Sequence, residues 1–232
     1  MQHENAGWDG KEPTVLFEDD SIVVINKPSG LIVYPDLKHD YPALSHWLEK
    51  KYPEFHFVHR IDRETSGVLV IARTKAAHEF LKRQFQEREI KKTYRAFVYG
   101  ALKDERGIIN RPIGSARGGF APRSATRPHG TTREAQTLYR VIKNGKDSSY
   151  VEAFPKTGRT HQIRVHFSAI QHPIICDVLY APSKPPILGF SRLALHAFSI
   201  TFMHPNKKEM SFEAPLPDDF LEAERLLRQE KP

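Results

Sequence analysis

The clearest pattern along the chain is an apolar run without polar interruption, Val68-Leu69-Val70-Ile71-Ala72, which predicts a strand buried on both faces. Upstream, Val15-Leu16-Phe17, the acidic turn Glu18-Asp19-Asp20 and the stretch Ser21 to Lys27 predict a hairpin closed off by Pro28-Ser29-Gly30. Leu44, Trp47, Leu48 and Lys51 recur at helical spacing over 42–52, and Ala77, Phe80, Leu81 and Phe85 form one stripe over 75–88. Strand character returns at 56–58, 93–99, 137–142 and 150–154. A short helix over 161–170 presents Ile163, Phe167 and Ile170. Two closing strands follow at 193–203 and 209–212, then a helix over 217–229 with Phe220, Ala223 and Leu227 on its apolar face. Strands outnumber helices and few connections have the length of a crossover, so the expected class is α+β with a largely antiparallel sheet.

One segment breaks the periodicity. From Arg111 to Arg133 there are five arginines, four glycines, three prolines and no acidic residue. This composition predicts a long exposed basic loop over 111–133 rather than a packed element. It reads equally as a solvated insertion or as a mobile lid closing on phosphates, whose geometry the arginine fork matches. Residues 1–13 are polar and expected to be flexible, with a single domain over 14–232.

Composition narrows the class further. With 39% apolar and 27% charged residues in 232, the chain is that of an ordinary globular protein. No apolar run reaches the roughly 20 residues of a membrane span, and the N-terminus lacks the layout of a secretory signal, so a cytoplasmic protein without a membrane partner is expected. Lys and Arg outnumber Asp and Glu by 35 to 28, a formal charge of +7 that suits a polyanionic partner. Cys176, the single cysteine, excludes an intrachain disulfide and a thiolate zinc cluster. In its apolar setting it reads as an inert, buried thiol.

Three clusters carry candidate chemistry. In His59-Arg60-Ile61-Asp62-Arg63-Glu64-Thr65-Ser66-Gly67, Arg60 and Asp62 lie two apart on a turn leading into the buried strand. Taken bare, Asp62 is a turn former, and the charges a solvated corner. Lys91-Lys92-Thr93-Tyr94-Arg95-Ala96 sets a tyrosine among cations, a pattern that suits a base stacked on an aromatic face. Lys156 to His166 holds Arg159, His161, Arg164 and His166 around a helix start. His161 and His166 are about 140° apart on a helix at ~100° per residue, which argues against a metal site. A buried arginine there needs an acidic partner.

Together these stretches resemble the RluA-type RNA pseudouridine synthases. The first resembles the family's HRLDxxTSG motif, with Ile61 in place of the usual leucine. The likeness continues through NKPSG at 26–30, KKTYRAFVYG at 91–100, GRTHQIRVH at 158–166, HPIICDVLY at 172–180 and LALHA at 193–197, in family order. It implies a long, bent, mostly antiparallel sheet with flanking helices and a central catalytic cleft, without the N-terminal S4 module of many members.

By the same resemblance Asp62 is the catalytic aspartate, Arg60 the arginine that enters the RNA and displaces the target base, and Tyr94 the residue that stacks on uracil. Arg164 is implied to pair with the catalytic carboxylate. Lys91, Lys92, Arg117, Arg123, Arg127, Arg159 and His161 are the further expected RNA contacts. The reaction breaks the N1–C1′ bond of uridine and rejoins the ring through C5, so neither metal nor organic cofactor is called for. The carboxylate can attack C6 or C1′, or serve as base in a glycal route. The expected partner is a stem-loop of large-subunit ribosomal RNA, transfer RNA or both, bound by a monomer. The run from Gln84 to Tyr94 looks most like the compact dual-specificity members. Two other readings remain: a hydrolase of the glycosidic bond, and a non-catalytic RNA-binding or RNA-folding protein.

Overall fold

The computed structural model describes Trp8 and residues 10–35, 42–117 and 122–230. The segment 1–13 expected to be flexible lies largely outside them. Among the described residues there are thirteen strands and four helices, the α+β class expected. They divide into two compact units, Met1–Lys92 with Ala197–Pro215, and Thr93–His196 with Leu216–Pro232.

In the first unit, β1 (Thr14–Glu18), β2 (Ile22–Lys27), β4 (Ser66–Ala72) and β12 (Leu195–Met203) lie side by side in that order. The short β3 (His56–Phe57) pairs with β4, and β13 (Glu209–Glu213) pairs with β12. The hairpin anticipated over 15–27 is β1 and β2, antiparallel with a bulge between Val15 and Phe17. Every residue of β4 is buried, as its unbroken apolar sequence requires. Helix α2 (Lys75–Glu87) packs on it. Thr74 caps its start by accepting the amide of Ala77 at 3.1 Å, and Arg88 ends it in the left-handed region at φ 62°. Gln84, buried on the apolar face, exchanges two hydrogen bonds of 2.8 Å with the backbone of Met203 and so completes the end of β12. The helix expected over 42–52 is the shorter α1 (Leu44–Glu49).

In the second unit, β5 (Lys91–Tyr99), β11 (Ser148–Pro155), β10 (Gln136–Asn144) and β6 (Arg106–Asn110) follow one another, all antiparallel. Phe97 and Tyr150 stack at 4.3 Å in the core, and Phe190 and Phe220 close on Phe97 at 5.2 and 5.6 Å. Helix α4 (Asp218–Gln229) buries Phe220, Ala223 and Leu227, the face read from its spacing. Helix α3 (Gln162–Ala169) buries Ile163 and Phe167 in the same core.

The stretch 111–133 is a correction to the sequence reading. Its described residues, 111–117 and 122–133, carry β7 (Ile113–Ala116), β8 (Arg123–Ser124) and β9 (Pro128–Arg133), a separate sheet in the order β8-β7-β9. Ile113 and Ala125 bury against Ala135, Val165 and Ala169, so the second face of α3 supplies the apolar surface that the segment lacks itself. Gly, Pro and Arg dominate because β9 is exposed along nearly its whole length. The edge strand β6 was equally invisible. Its Gly107 leaves room for the Tyr139 ring, which a Cβ would approach to 2.5 Å. No described helix is long and apolar enough to cross a membrane.

Candidate active site

In the first unit the candidate carboxylate sits on the connection from β3 to β4. Ile61 and Thr65 are buried, while Arg60 is exposed and Asp62 half-buried. The loop is thus pinned on both sides of Asp62, whose carbonyl accepts the amide of Thr65 at 3.1 Å. The end of β2 and the loop after it hold this turn in place. Lys27 is fully buried, and its ammonium donates to the carbonyls of Pro28 and Leu31 at 2.8 Å and of Arg63 at 3.1 Å. Ser29 Oγ donates to the carbonyl of Glu64 at 2.6 Å, and the Gly30 amide to that of Arg63 at 2.8 Å. Three residues of NKPSG therefore fix the backbone just past Asp62.

His59 anchors the other side. Its ring stacks on Phe85 at 4.7 Å, and Nε2 accepts the Val70 amide at 3.0 Å. An amide can only donate, so Nε2 is unprotonated. Desolvation, helped by the charge of Lys92, pushes the imidazole down to about 3, in keeping with this bond. Burial likewise pushes the Lys92 ammonium down to about 8. Lys91 is exposed and meets Glu209 at 3.3 Å, a pair of little energetic weight. Gly67 closes the motif: its φ is +114°, and a Cβ there would lie 2.2 Å from the carbonyl oxygen of Ala197.

In the second unit, Tyr94 is half-buried on β5, opposite Ala153 of β11, and packs against the core. Arg95 beside it is occupied by Glu152 at 2.9 Å, and Glu152 also binds Arg140. Arg164 is almost completely buried in the first turn of α3. Its Nε and Nη2 donate to the two oxygens of Asp177 at 2.8 and 2.7 Å. The resemblance implied a partner for Arg164 in the catalytic carboxylate; this second carboxylate was not anticipated. A signal for it existed, because Asp177 is the one acidic residue between Glu152 and Glu209 and lies in an otherwise apolar stretch.

Arg159 and His161 lie at the start of α3. Gln162 Oε1 accepts the Arg159 amide at 3.0 Å, and Arg159 Nε donates to the Glu134 carbonyl at 3.0 Å. His161 takes the N-cap position in the left-handed region at φ 56°, and its Nδ1 meets the Tyr180 hydroxyl at 3.1 Å. Behind them a buried chain runs from Gln162 Nε2 through Thr137 Oγ1 to His166 Nδ1, at 3.0 and 2.9 Å, and on from His166 Nε2 to the Arg111 carbonyl at 3.0 Å. That carbonyl only accepts, so His166 carries its proton on Nε2, and burial lowers its basicity. His166, like His161, is thereby engaged by protein groups. Among the described residues no group of three or more His, Cys, Asp or Glu is placed to hold a metal ion.

Arg123 is half-buried in β8, and the exposed Arg117 and Arg127 lie just after β7 and just before β9. Arg117 and Arg127 line an open cavity of about 530 Å³ with Ala116, Ser124, Pro128 and His129. Cys176 is half-buried, and its thiol donates to the Phe190 carbonyl at 3.3 Å; burial raises it further above its ordinary range, the character of an inert thiol.

The mostly antiparallel α+β framework is that of the pseudouridine synthases. Residues 21–169 match the family model described as RNA pseudouridylate synthase. The dual-specificity RNA pseudouridine synthase RluA of Escherichia coli is 40% identical over 204 residues, covering 87% of this chain and 92% of its own. The ribosomal large subunit pseudouridine synthase D of Blochmanniella floridana is 35% identical, covering 93% of this chain and 73% of its own. The solved structure titled human RNA pseudouridylate synthase domain containing 4 superposes with a TM-score of 0.76 at 28% identity, over 94% of both chains. The chain belongs to the RluA-type RNA pseudouridine synthases, which are isomerases.

Proposed function

We propose that this chain converts uridine to pseudouridine in a stem-loop of ribosomal RNA, transfer RNA or both, in the cytoplasm, with Asp62 as the catalytic carboxylate. The observation that carries this reading is the rigidity of the Asp62 loop. Lys27, Ser29 and Gly30 fix its backbone with three hydrogen bonds to the carbonyls of Arg63 and Glu64, leaving the Asp62 carboxylate on a half-buried, preorganised turn. Arg60, exposed two residues earlier, is the side chain that displaces the base from its stack. Tyr94 supplies the face on which the detached uracil rests, and Arg164 a fixed positive charge. The reaction breaks N1–C1′, forms C5–C1′, returns the C5 proton to water and protonates N1. No electrons or groups are exchanged with a second molecule, so no cofactor enters.

The names of the relatives bear on the target. Both a dual-specificity synthase and a ribosomal large subunit synthase are similar along most of this chain. Arg123 on the small sheet and Arg117 and Arg127 beside its strands, in a stretch free of acidic residues, suit the phosphates flanking a looped-out base. Pseudouridine mapping across total RNA tests the reading. Cells with the gene should carry one or a few sites that vanish on deletion, and Asp62→Asn should fail to restore them. Identical maps with and without the gene would contradict it.

A further inference from the structure

The Arg164 guanidinium belongs to one of the largest fully buried side chains among the described residues, and it packs on the turn headed by Asp177. Asp177, at the head of that turn, is 1% exposed. Its Oδ2 accepts Arg164 Nε, and its Oδ1 accepts Arg164 Nη2 together with the amides of Leu179 and Tyr180 at 3.0 and 3.1 Å. The two amide bonds fold residues 177–180 into a turn and set Tyr180. The ring of Tyr180 then lies 5.4 Å from Arg164 Cζ, and its hydroxyl meets His161 at the start of α3. One carboxylate thus fixes the arginine directly and, through Tyr180, a second time by a cation–π contact.

The carboxylate is itself anchored. Ile175 donates to the Phe97 carbonyl at 2.9 Å and accepts from the Ala194 amide at 3.0 Å, which stitches the preceding segment into the core. Cys176 then adopts a left-handed conformation at φ 57°, costly for a residue with a side chain. The strained step redirects the chain so that Asp177 faces α3. The pairing is side-on, through Nε and Nη2, so the end of the fork that bears Nη1 points away from Asp177. A guanidinium held this way offers that end to another acceptor without having to be oriented first.

We propose that Asp177 is a positioning residue for the isomerisation: it holds Arg164 in one orientation, with Tyr180 as the second wall, and acts on the reaction only through Arg164. This rests on the reading of Arg164 as part of the catalytic machinery. An asparagine at 177 accepts the Leu179 and Tyr180 amides as an aspartate does, so Asp177→Asn keeps the turn and removes the charged clamp.

The test is a double-mutant cycle, read as tritium release from total RNA of cells lacking the gene, labelled with 5-tritiated uridine, in single turnover at saturating enzyme. Asp177→Asn should slow the reaction by about tenfold to about a hundredfold while the enzyme concentration at half-saturation stays within about twofold. Arg164→Met should slow it at least as much, and the double variant should be no slower than Arg164→Met alone. Asp177→Glu, which keeps the charge, should lie between Asp177→Asn and the parent. If Asp177→Asn fails to fold by circular dichroism, Asp177→Glu replaces it in the cycle. A parental rate in Asp177→Asn, or a double variant slowed by the product of the two single effects, overturns the proposal. A parental rate in Arg164→Met overturns the reading beneath it, and the proposal with it.

Discussion

The buried ammonium of Lys27 donates to the backbone carbonyl of Arg63, 36 residues further along, and so ties the loop after β2 to the turn that bears Asp62. Removing it takes the ammonium donor from three carbonyls at once. Lys27→Met should lower unfolding free energy by about 2–3 kcal/mol in urea titrations, the cost of buried acceptors left without donors. It should also slow single-turnover pseudouridine formation by more than about tenfold, since the tether lies one residue from the carboxylate. A variant that loses stability but reacts at the parental rate would show that the tether only stabilises the fold.

Gly67 and Gly130 both have positive φ, at +114° and +67°, but differ in what a side chain would meet. At Gly67 a Cβ falls 2.2 Å from the Ala197 carbonyl; at Gly130 nothing lies within 4 Å. Gly130→Ala should cost about 1 kcal/mol, the strain of the conformation alone. Gly67→Ala should cost about 3 kcal/mol or more, or fail to fold, because backbone must also move. Equal losses in thermal unfolding would contradict this account.

The neutral ring of His59 makes stability fall in acid. Its folded value is pushed from 6.5 to about 3, so below about 6.5 the unfolded chain takes up a proton that the folded chain refuses. The contribution is complete above pH 6.5 and is lost as pH falls toward 3, by at most about 1.4 kcal/mol per pH unit. His166, also lowered by burial, acts in the same direction. Urea midpoints measured from about pH 7 to about pH 5 should fall, and fall less steeply in His59→Gln. Parallel slopes would contradict the assignment.

The basic sheet is expected to act on binding rather than on chemistry. Arg117→Ala and Arg127→Ala should each weaken RNA binding and reduce the slope of log K against log salt by about 0.7–0.9 for every phosphate left without its arginine. The single-turnover rate at saturating enzyme should stay within about twofold. Arg60→Ala should do the reverse, slowing the reaction with a smaller change in the salt slope. An unchanged slope in both sheet variants would remove that surface from the RNA path.

The elements legible in the sequence were those whose burial is written in one stretch. β4 contains an unbroken apolar run from Val68 to Ala72, and α2 has both a threonine cap and a clean stripe. β6 to β9 were not legible because they are short, largely exposed and completed by distant residues: β10 for β6, and Val165 and Ala169 of α3 for the small sheet. The site divided the same way. Asp62, Arg60, Tyr94 and Arg164 stood in motifs whose order resembles one family. Lys27 and Asp177 lie inside the same series of motifs; nothing in the sequence marks Lys27 out, and Asp177 is marked only as the one acidic residue between Glu152 and Glu209. Their partners are backbone carbonyls and a helix-borne arginine that only folding brings near.

The central claim is that Asp62 drives isomerisation of uridine within intact RNA. Its most direct test is tritium release from RNA labelled with 5-tritiated uridine, compared between the parent enzyme and Asp62→Asn, with free uracil assayed alongside. The account predicts release by the parent with the RNA chain and base content intact, and none above background from Asp62→Asn, which should still bind the RNA. Release at the parental rate from Asp62→Asn, or free uracil from the parent, would contradict it.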